Sequence, residues 1–337
     1  MIGSIDVHTH IVPGSFPAYS GTIADVPWPQ MVHDGCGHAM INIAGKPFRT
    51  VQQAAWDVGC RLAAMEEMQT HIQVISPMPE LLSYWLPTAA AVDLLRHVNA
   101  EIAVMVSAAP DRMIGLAAIP LQDVGKAVTE LRYAVENFGL KGVEIGSNIN
   151  GVPLADPRFE PFFEAAEALD IPIFVHAIRA VGKDRLIGLP MLEQIIAFPG
   201  EIGLTIGGLI ASGTLARRPR LRIAFSHGGG SVLAICARMQ HFWSALPKFA
   251  ETLVESPIET ARRLYFDSAV FEPGLIHLIA ETFGIERLML GSDFPFGGYE
   301  RHPTGLLERA GLSASDIGMV ERINPRRYLG IDLEGEA

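Results

Sequence analysis

Cysteine is scarce in this chain, and its spacing excludes two kinds of site. Only Cys36, Cys60 and Cys236 occur among 337 residues, and no two of them form a Cys-x-x-Cys pair. A disulfide framework needs several regularly spaced cysteines, and a thiolate metal site needs them in close pairs. We therefore expect neither, and the scarcity fits a reducing cytoplasm.

Long hydrophobic runs, a leader and blocks of like charge are also missing. The first residues reach a strand-like run without the basic and apolar regions of a signal peptide. Apolar stretches such as Ile202 to Ser212 contain glycines and are shorter than the roughly 20 residues of a membrane-spanning helix. The net charge is -11, but acidic residues form no long run, which disfavours nucleic acid. We expect a cytoplasmic protein with neither a membrane nor a nucleic-acid partner.

Eight short apolar runs, by contrast, recur at fairly even intervals. Their hydrophobicity is continuous rather than alternating, which is typical of parallel strands covered on both faces. They are Ser4 to Val7, His71 to Ser76, Met113 to Ile119, Gly142 to Ile145, Ile171 to Val175, Leu221 to Phe225, Leu264 to Phe266 and Arg287 to Leu290. Helical patterns lie between them, including Val51 to Gln69, Thr88 to Ala108, Val124 to Asn137 and Arg158 to Ala168. The pattern predicts an α/β fold, a (β/α)8 TIM barrel.

The chain is longer than the roughly 250 residues typical of this barrel. The surplus lies in Pro13 to Thr50 and Arg179 to Arg220, both candidate insertions. Residues 13–50 are rich in glycine and proline and follow strand 1, at the end of the barrel where such enzymes hold their catalytic residues. We predict one domain, 1–337, with residues 13–50 as a lid-like insertion.

Four histidines and an aspartate follow these strands. His8 and His10 leave strand 1, and residues two apart in an extended chain point the same way. His176, His227 and Asp293 end three later apolar runs, so all five should converge on one rim of the barrel. Imidazole and carboxylate ligands suit a divalent ion, with zinc the default, and its bound water can reach a pKa of about 7.

In order and strand position, these residues resemble the metal site of the amidohydrolase superfamily over essentially the whole chain. Many members of that superfamily add a carboxylated lysine at the end of strand 4. Here Lys141 stands at the start of that strand, and the strand ends with Glu144 and Gly146. The resemblance therefore implies a single metal ion.

Several segments further resemble the decarboxylase branch typified by α-amino-β-carboxymuconate-ε-semialdehyde decarboxylase. They are Phe48-Arg49 with Trp56-Asp57, Ile119 to Asp123, His227 to Ser231, Phe266 to Val270 and Leu290 to Phe296. The resemblance implies that His8, His10, His176 and Asp293 hold the metal. It also implies that His227 acts as the acid and base, while Asp293 helps to orient the bound water. The expected reaction is non-oxidative decarboxylation of a small unsaturated or aromatic acid.

Substrate contacts are predicted from the same resemblance. Arg49 matches a substrate-binding arginine, and Arg238 matches one that reaches into the partner subunit's site, so a homodimer is expected. Phe294 and Phe296 are candidate cavity walls, with core packing as the alternative. The glycines after His227 could present N–H groups to an anion or let the backbone pass close to the metal, and we favour the second.

The loop after His176 departs from the branch, because it reads Ala177-Ile178-Arg179 where a proline and an aromatic residue are expected. Because this loop carries Arg179, Lys183 and Arg185, the sequence leaves the identity of the substrate undecided. Two alternatives follow. One is a hydrolase of the same superfamily that acts on a lactone or amide, and the other is a non-catalytic barrel that binds metal or small acids.

Overall fold

The computed structural model describes residues 3–23, 25–189 and 191–331. Within them the strands are β1 (Ile5–Ile11), β2 (Pro29–His33), β3 (His38–Ile43), β4 (Lys46–Gln52), β5 (Ile72–Pro77), β6 (Met113–Ala117), β7 (Gly142–Gly146), β8 (Asn148–Ile149), β9 (Val152–Pro153), β10 (Ile173–His176), β11 (Ile223–Phe225), β12 (Tyr265–Asp267) and β13 (Leu288–Met289). The α-helices are α1 (Val58–Met68), α2 (Thr88–Ala108), α3 (Val124–Phe138), α4 (Glu160–Ala168), α5 (Phe198–Ala211), α6 (Thr214–Arg217), α7 (Val232–Ala245), α8 (Pro247–Thr252), α9 (Pro257–Ala261), α10 (Pro273–Phe283), α11 (Pro303–Arg309), α12 (Ala314–Gly318) and α13 (Asn324–Leu329).

Eight of the strands form one parallel sheet in the order β1-β5-β6-β7-β10-β11-β12-β13. The sheet returns to its first strand, because the Val7 N–H donates to the Leu290 carbonyl at 2.8 Å and Thr9 bridges to Phe294. Helices alternate with the strands along the chain. The predicted (β/α)8 barrel is confirmed, and the carboxyl ends of all eight strands open at one face.

A β-bulge in β1 sets the direction of its two histidines. Asp6 pairs with Gln73 and Thr9 pairs with Ile75, so β1 advances by three residues where β5 advances by two. An extra residue of this kind re-aims the side chains that follow it. The strand also runs on to Ile11 rather than ending at Val7, so His8 and His10 lie inside it and not beyond its end.

The barrel interior below the histidines is apolar. Ile5 and Val7 pack there with Val74, Leu116, Phe174, Ala224, Tyr265 and Met289, and Tyr328 and Leu329 of α13 join the same cluster. Every barrel strand except β7 contributes at least one side chain to this cluster, because alternate residues of a strand point to the same face. The packed interior leaves the carboxyl ends of the strands as the place for chemistry.

Residues 13–50 contain regular structure that their composition does not predict. Strands β2, β3 and β4 form a three-stranded antiparallel sheet, with β4 continuing to Gln52. The predicted helix from Val51 is therefore wrong at its start. The Asp57 side chain accepts a hydrogen bond from the Cys60 N–H at 2.8 Å, which caps α1 and begins the helix at Val58.

The stretch Arg179 to Arg220 is only in part an insertion, because α5 is the barrel helix that follows β10. With the preceding π-helical turn it forms a helix, Glu193–Ala211, of 19 residues that is long and apolar enough to cross a membrane by length and composition. The expectation that every apolar stretch is too short is therefore wrong. Ile202, Ile206 and Leu209 are buried in the main core, so packing in the barrel accounts for this composition.

Candidate metal centre and active site

Four side chains meet at the carboxyl end of the barrel. They are His8 and His10 of β1, His176 of β10 and Asp293 beyond β13, and their ligand atoms all lie within 4.8 Å of one another. The two Nε2 atoms of His8 and His10 are 3.1 Å apart. Asp293 Oδ1 lies 3.4 Å from the first and 3.3 Å from the second. The sequence placed all four at strand ends, and the barrel brings them together.

Each of the three imidazoles is oriented through its Nδ1 atom. His8 Nδ1 donates to Asp267 Oδ2 at 2.5 Å, His10 Nδ1 to the Pro77 carbonyl at 3.1 Å, and His176 Nδ1 to the Ala177 carbonyl at 2.7 Å. A proton on Nδ1 leaves the Nε2 lone pair free. Such Nδ1 anchors are the usual way in which proteins orient histidine ligands.

His176 Nε2 tests whether a cation fits this cluster. The atom is buried and has no hydrogen-bond partner in the described structure. An unpaired buried acceptor costs free energy, and a bound metal removes that cost by accepting the lone pair. Three imidazole nitrogens and one carboxylate oxygen also form a set that suits zinc and related divalent ions. The residues present therefore fit a metal ion.

The charges of the cluster also favour a cation. Burial lowers the pKa of His10 to about 4 and lowers the pKa of His176 well below its usual value, so both are neutral ligands. Burial opposes ionisation of Asp293, but the neighbouring His8 and His10 hold its pKa well below the usual range. Burial likewise lowers the pKa of His8, but Asp267 and Asp293 together raise it to about 9. A cation bound to His8 Nε2 would take the place of the proton that Asp267 and Asp293 favour on this ring.

Asp267 is a functional residue that the sequence reasoning missed. Besides His8, its Oδ2 accepts the backbone N–H of His227 at 3.0 Å, and its Oδ1 accepts those of Gly228 at 2.8 Å and Ala269 at 3.1 Å. One carboxylate thus positions both a cluster histidine and the loop that carries His227. Its place at the end of β12 is the signal that could have found it, because the same strand-end rule located the other five residues.

Strand β7, the fourth of the barrel, contributes no lysine to the centre. Lys141 is exposed just before the strand, while Glu144 is buried with Oε2 3.7 Å from His10 Nδ1. Burial raises the pKa of Glu144 to about 8, so the group is mostly neutral at pH 7. Among the described residues the cluster therefore has ligands for one metal ion, and Glu144 lies behind His10 rather than within the cluster.

His227 lies at the edge of the cluster and not within it. Its Nε2 is 4.0 Å from Asp293 Oδ2, and its Nδ1 is 3.0 Å from Ser226 Oγ. Its backbone has φ +55°, in the left-handed region, where the hydrogen bonds that the N–H groups of His227 and Gly228 donate to Asp267 hold it. Burial and the neighbouring His8 lower the pKa of His227, so the ring is a neutral base at pH 7.

The glycines after His227 serve neither function expected from the sequence. A Cβ at Gly230 would lie 2.0 Å from the Pro199 carbonyl oxygen, and one at Gly228 would lie 2.3 Å from a Val270 methyl. The close approach is to α5 and to the segment after β12, not to the metal cluster. Their N–H groups bond within the loop or to the Asp267 side chain, so they are not free to bind an anionic ligand in the cavity.

A cavity of about 390 Å³ opens above the cluster. Apolar side chains form most of its wall, including Phe48, Met191, Ile195, Phe198 and Phe296. Arg49 of β4 also lines it, with its guanidinium 4.6 Å from the centre of the Phe296 ring. Burial lowers the pKa of Arg49, and the Asp293 and Glu80 carboxylates partly offset that effect.

The two phenylalanines after Asp293 have different positions. Phe296 lines the cavity and stacks on His10, with ring centres 5.4 Å apart. Phe294 is fully buried in a separate cluster, where Arg61 lies 5.1 Å from its ring centre. The prediction that Phe294 forms the cavity wall is wrong, because it faces the space between β1 and α1.

Arg238 does not reach the cavity of its own protomer. It is exposed on α7, 5.0 Å from the Phe242 ring centre, and it is not among the residues that line the cavity.

The basic residues of the loop after β10 are mostly held by acidic partners. Arg179 pairs with Glu80 at 3.1 Å and Lys183 with Glu193 at 3.5 Å, while Arg185 is exposed.

Comparisons with known proteins agree with this arrangement. A decarboxylase from Dictyostelium discoideum, named for 2-amino-3-carboxymuconate-6-semialdehyde, is 34% identical over 90% of this chain and 85% of its own length. The apo structure of IDCase from Metarhizium anisopliae superposes with a TM-score of 0.82 at 18% identity, covering 97% of both chains. A Polaromonas dihydroxybenzoic acid decarboxylase with bound manganese and 2-nitroresorcinol superposes with a TM-score of 0.76 at 20% identity, covering 98% and 97%. The two structures show the fold alone.

The family comparison covers nearly the whole chain. The family model described as amidohydrolase matches residues 5–331. That span includes all eight barrel strands, the four clustered side chains and His227. Together with the identity to the Dictyostelium protein, it shows that the chain belongs to the amidohydrolase family.

Proposed function

We propose that the protein is a metal-dependent, non-oxidative decarboxylase of a small unsaturated or aromatic carboxylic acid. The observation that carries the proposal is the position of the four-ligand cluster and His227 at the floor of an apolar cavity lined by one arginine. The similarity to the Dictyostelium decarboxylase over most of both chains supports the same chemistry.

We further propose that His8, His10, His176 and Asp293 hold one zinc ion. Histidine nitrogens and carboxylate oxygens are common donors at catalytic zinc sites, which keep a coordination position open. A divalent ion bound there supplies Lewis-acid polarisation and lowers the pKa of coordinated water to about 7. The orphaned Nε2 of His176 is the strongest support for a cation at this point.

The side chains around the cavity have separate tasks in this reaction. Arg49 can bind a carboxylate through two parallel hydrogen bonds, which fixes the orientation of the substrate. When the C–C bond to the leaving carboxylate breaks, its electrons stay on the adjacent carbon, which must then receive a proton. His227, which is neutral at pH 7, takes up a proton from water at Nε2 and delivers it to that carbon, while CO₂ leaves with the broken bond. The aromatic wall shields the developing charge from bulk solvent. We assign the β2–β4 sheet, which carries Phe48 and Arg49, as the lid of the cavity.

A substrate screen tests the proposal. The metal-loaded protein is incubated with aminocarboxymuconate semialdehyde, a hydroxymuconate semialdehyde and dihydroxybenzoates, while absorbance and released CO₂ are followed. We expect stoichiometric CO₂ from at least one of them. Ring opening of lactones without CO₂ release would favour a hydrolase instead, and a metal-loaded protein that binds these acids without any turnover would favour a non-catalytic barrel.

We also propose a homodimer in which Arg238 completes the site of the partner subunit. Arg238 is exposed on α7 and points away from its own cavity. Large apolar side chains of the loop after β10 are also exposed, with Ile187 at 95% and Leu189 at 78% of their surface. Such a patch on a soluble protein is typical of an interface.

Mixing two inactive variants tests the shared site. An Arg238→Ala subunit retains His227, and a His227→Ala subunit retains Arg238, so a hybrid dimer should contain one complete site. We expect activity to return when the two proteins are unfolded, mixed and refolded together, to about half the wild-type rate per hybrid dimer. Refolding each variant alone is the control. Hybrid dimers without recovered activity would exclude a shared site.

A further inference from the structure

Glu80 places a negative charge in the wall of a cavity that the proposed function fills with an anion. It follows β5 in the single turn Pro79–Leu82, and it lines the cavity. Its side chain is only 19% exposed. A carboxylate in this position repels an acidic substrate, and the mechanism proposed above gives it no task. Its presence therefore needs a physical reason.

Arg179 holds Glu80 in one orientation. The guanidinium donates from Nη2 to Glu80 Oε1 at 3.1 Å, and its Cζ lies 3.3 Å from the centre of the Trp85 ring. The Arg179 backbone has φ +42°, so the surrounding contacts keep it in a conformation that non-glycine residues seldom adopt. Arg179 therefore occupies Oε1, while Oε2 accepts no hydrogen bond from the described residues.

The cavity presents one fixed cation and one fixed anion to its ligand. Outside the metal cluster, Arg49 and Glu80 are the charged side chains among the described residues that line it. The Glu80 carboxylate is close enough to Arg49 to stabilise the charge of the guanidinium. A ligand that fills the space must therefore match a cationic, hydrogen-bond-donating group on one side and an anionic, hydrogen-bond-accepting group on the other.

We propose that Glu80 determines specificity, by selecting acids that carry an amino or hydroxyl donor in addition to the carboxylate bound by Arg49. The inference rests on the proposed function, because it names the substrate class within that cavity. The donor would bond to Glu80 Oε2. An acid with a methyl group in the same place would leave Glu80 Oε2 dehydrated and without a hydrogen-bond donor, and such a loss discriminates more strongly than a change in apolar size.

Matched ligand pairs test this without requiring turnover. The 2-, 3- and 4-aminobenzoates are compared with the 2-, 3- and 4-methylbenzoates, since an amino and a methyl group have nearly the same volume. Dissociation constants are measured by calorimetry on the zinc-loaded protein. For the wild type we expect one ring position at which the amino compound binds about tenfold more tightly, which corresponds to a hydrogen bond to a charged acceptor.

Three variants separate recognition from anchoring. Glu80→Leu should abolish the amino preference and leave methylbenzoate binding unchanged or tighter, because a like charge is removed. Glu80→Gln keeps the shape and a neutral acceptor, so it should retain a reduced preference. Arg179→Leu should retain the preference, since Oε2 remains, although loss of its anchor weakens binding of both compounds. Metal content and thermal unfolding show that each variant is folded.

The results that overturn the inference are distinct. An equal affinity for the amino and methyl compounds at every position of the wild type would do so. The inference would also fail if Glu80→Leu and Arg179→Leu each weakened binding of the amino and the methyl compounds to the same extent. Glu80 would then only anchor the loop after β10. Failure of the substrate screen to release CO₂, with the amino preference intact, would instead reject decarboxylation and leave the recognition by Glu80 standing.

Discussion

Replacing His227 with alanine should lower kcat by roughly 10²- to 10⁴-fold, the usual contribution of a general acid or base, while most of the metal stays bound. The imidazole lies outside the four-ligand cluster, with Nε2 4.0 Å from Asp293 Oδ2. Its removal therefore takes away the group that moves the proton but no ligand. Because Asp267 binds the backbone of this loop and not the ring, the loop should keep its conformation.

Two measurements check this expectation on the same preparation. The rate of CO₂ release gives kcat, and inductively coupled plasma mass spectrometry gives the number of metal ions per protomer. Ser226→Ala is a matched control, because it removes only the 3.0 Å contact to His227 Nδ1, and it should reduce kcat far less. Metal lost in proportion to activity would instead identify His227 as a ligand.

Replacing His176 with alanine should remove metal binding and activity together. Its Nε2 is buried and has no hydrogen-bond partner among the described residues, which is the environment expected of a metal ligand. The metal-free variant should fold, since the hydrogen bond of its ring reaches only the adjacent Ala177. In the wild type, metal at 100 times its dissociation constant should stabilise the fold by about 2.7 kcal/mol, and the variant should lose that gain.

Thermal unfolding with and without added zinc measures the difference. The wild-type midpoint should rise with zinc, and that of His176→Ala should not. His241→Ala is the control, because His241 is an exposed histidine on α7, and its midpoint should rise as in the wild type. A His176→Ala protein that keeps its metal and its activity would refute the four-ligand assignment.

The site residues could be predicted because they obey a local rule. His176, His227 and Asp293 each end a continuous apolar run, and parallel strands bring their carboxyl ends to one face. Asp267 obeys the same rule at the end of β12, and its segment resembles the decarboxylase branch, but the sequence alone predicts no role for it. Its function depends on which atoms lie opposite it, namely His8 Nδ1 and the backbone of the next loop.

The errors occurred where the local pattern was ambiguous. The glycine- and proline-rich composition of residues 13–50 predicts no strands within the lid-like insertion, yet β2, β3 and β4 pair with one another there. Phe294 and Phe296 are equally apolar and two residues apart, and only one of them lines the cavity. In such cases the competing structures have similar local propensities, and burial against distant residues decides between them.

The sequence by itself determined the barrel, the order of its strands and the five residues that gather at its carboxyl face. Continuous apolar runs and the strand-end positions are local features, and the parallel sheet has one catalytic face. Only the tertiary structure decided which atoms meet. The bulge between Asp6 and Thr9 aims His8 and His10 inward, Asp267 links a cluster histidine to the His227 loop, and Arg179 turns Glu80 into the cavity wall. These contacts join residues far apart in the chain, so their geometry follows from packing and not from local pattern.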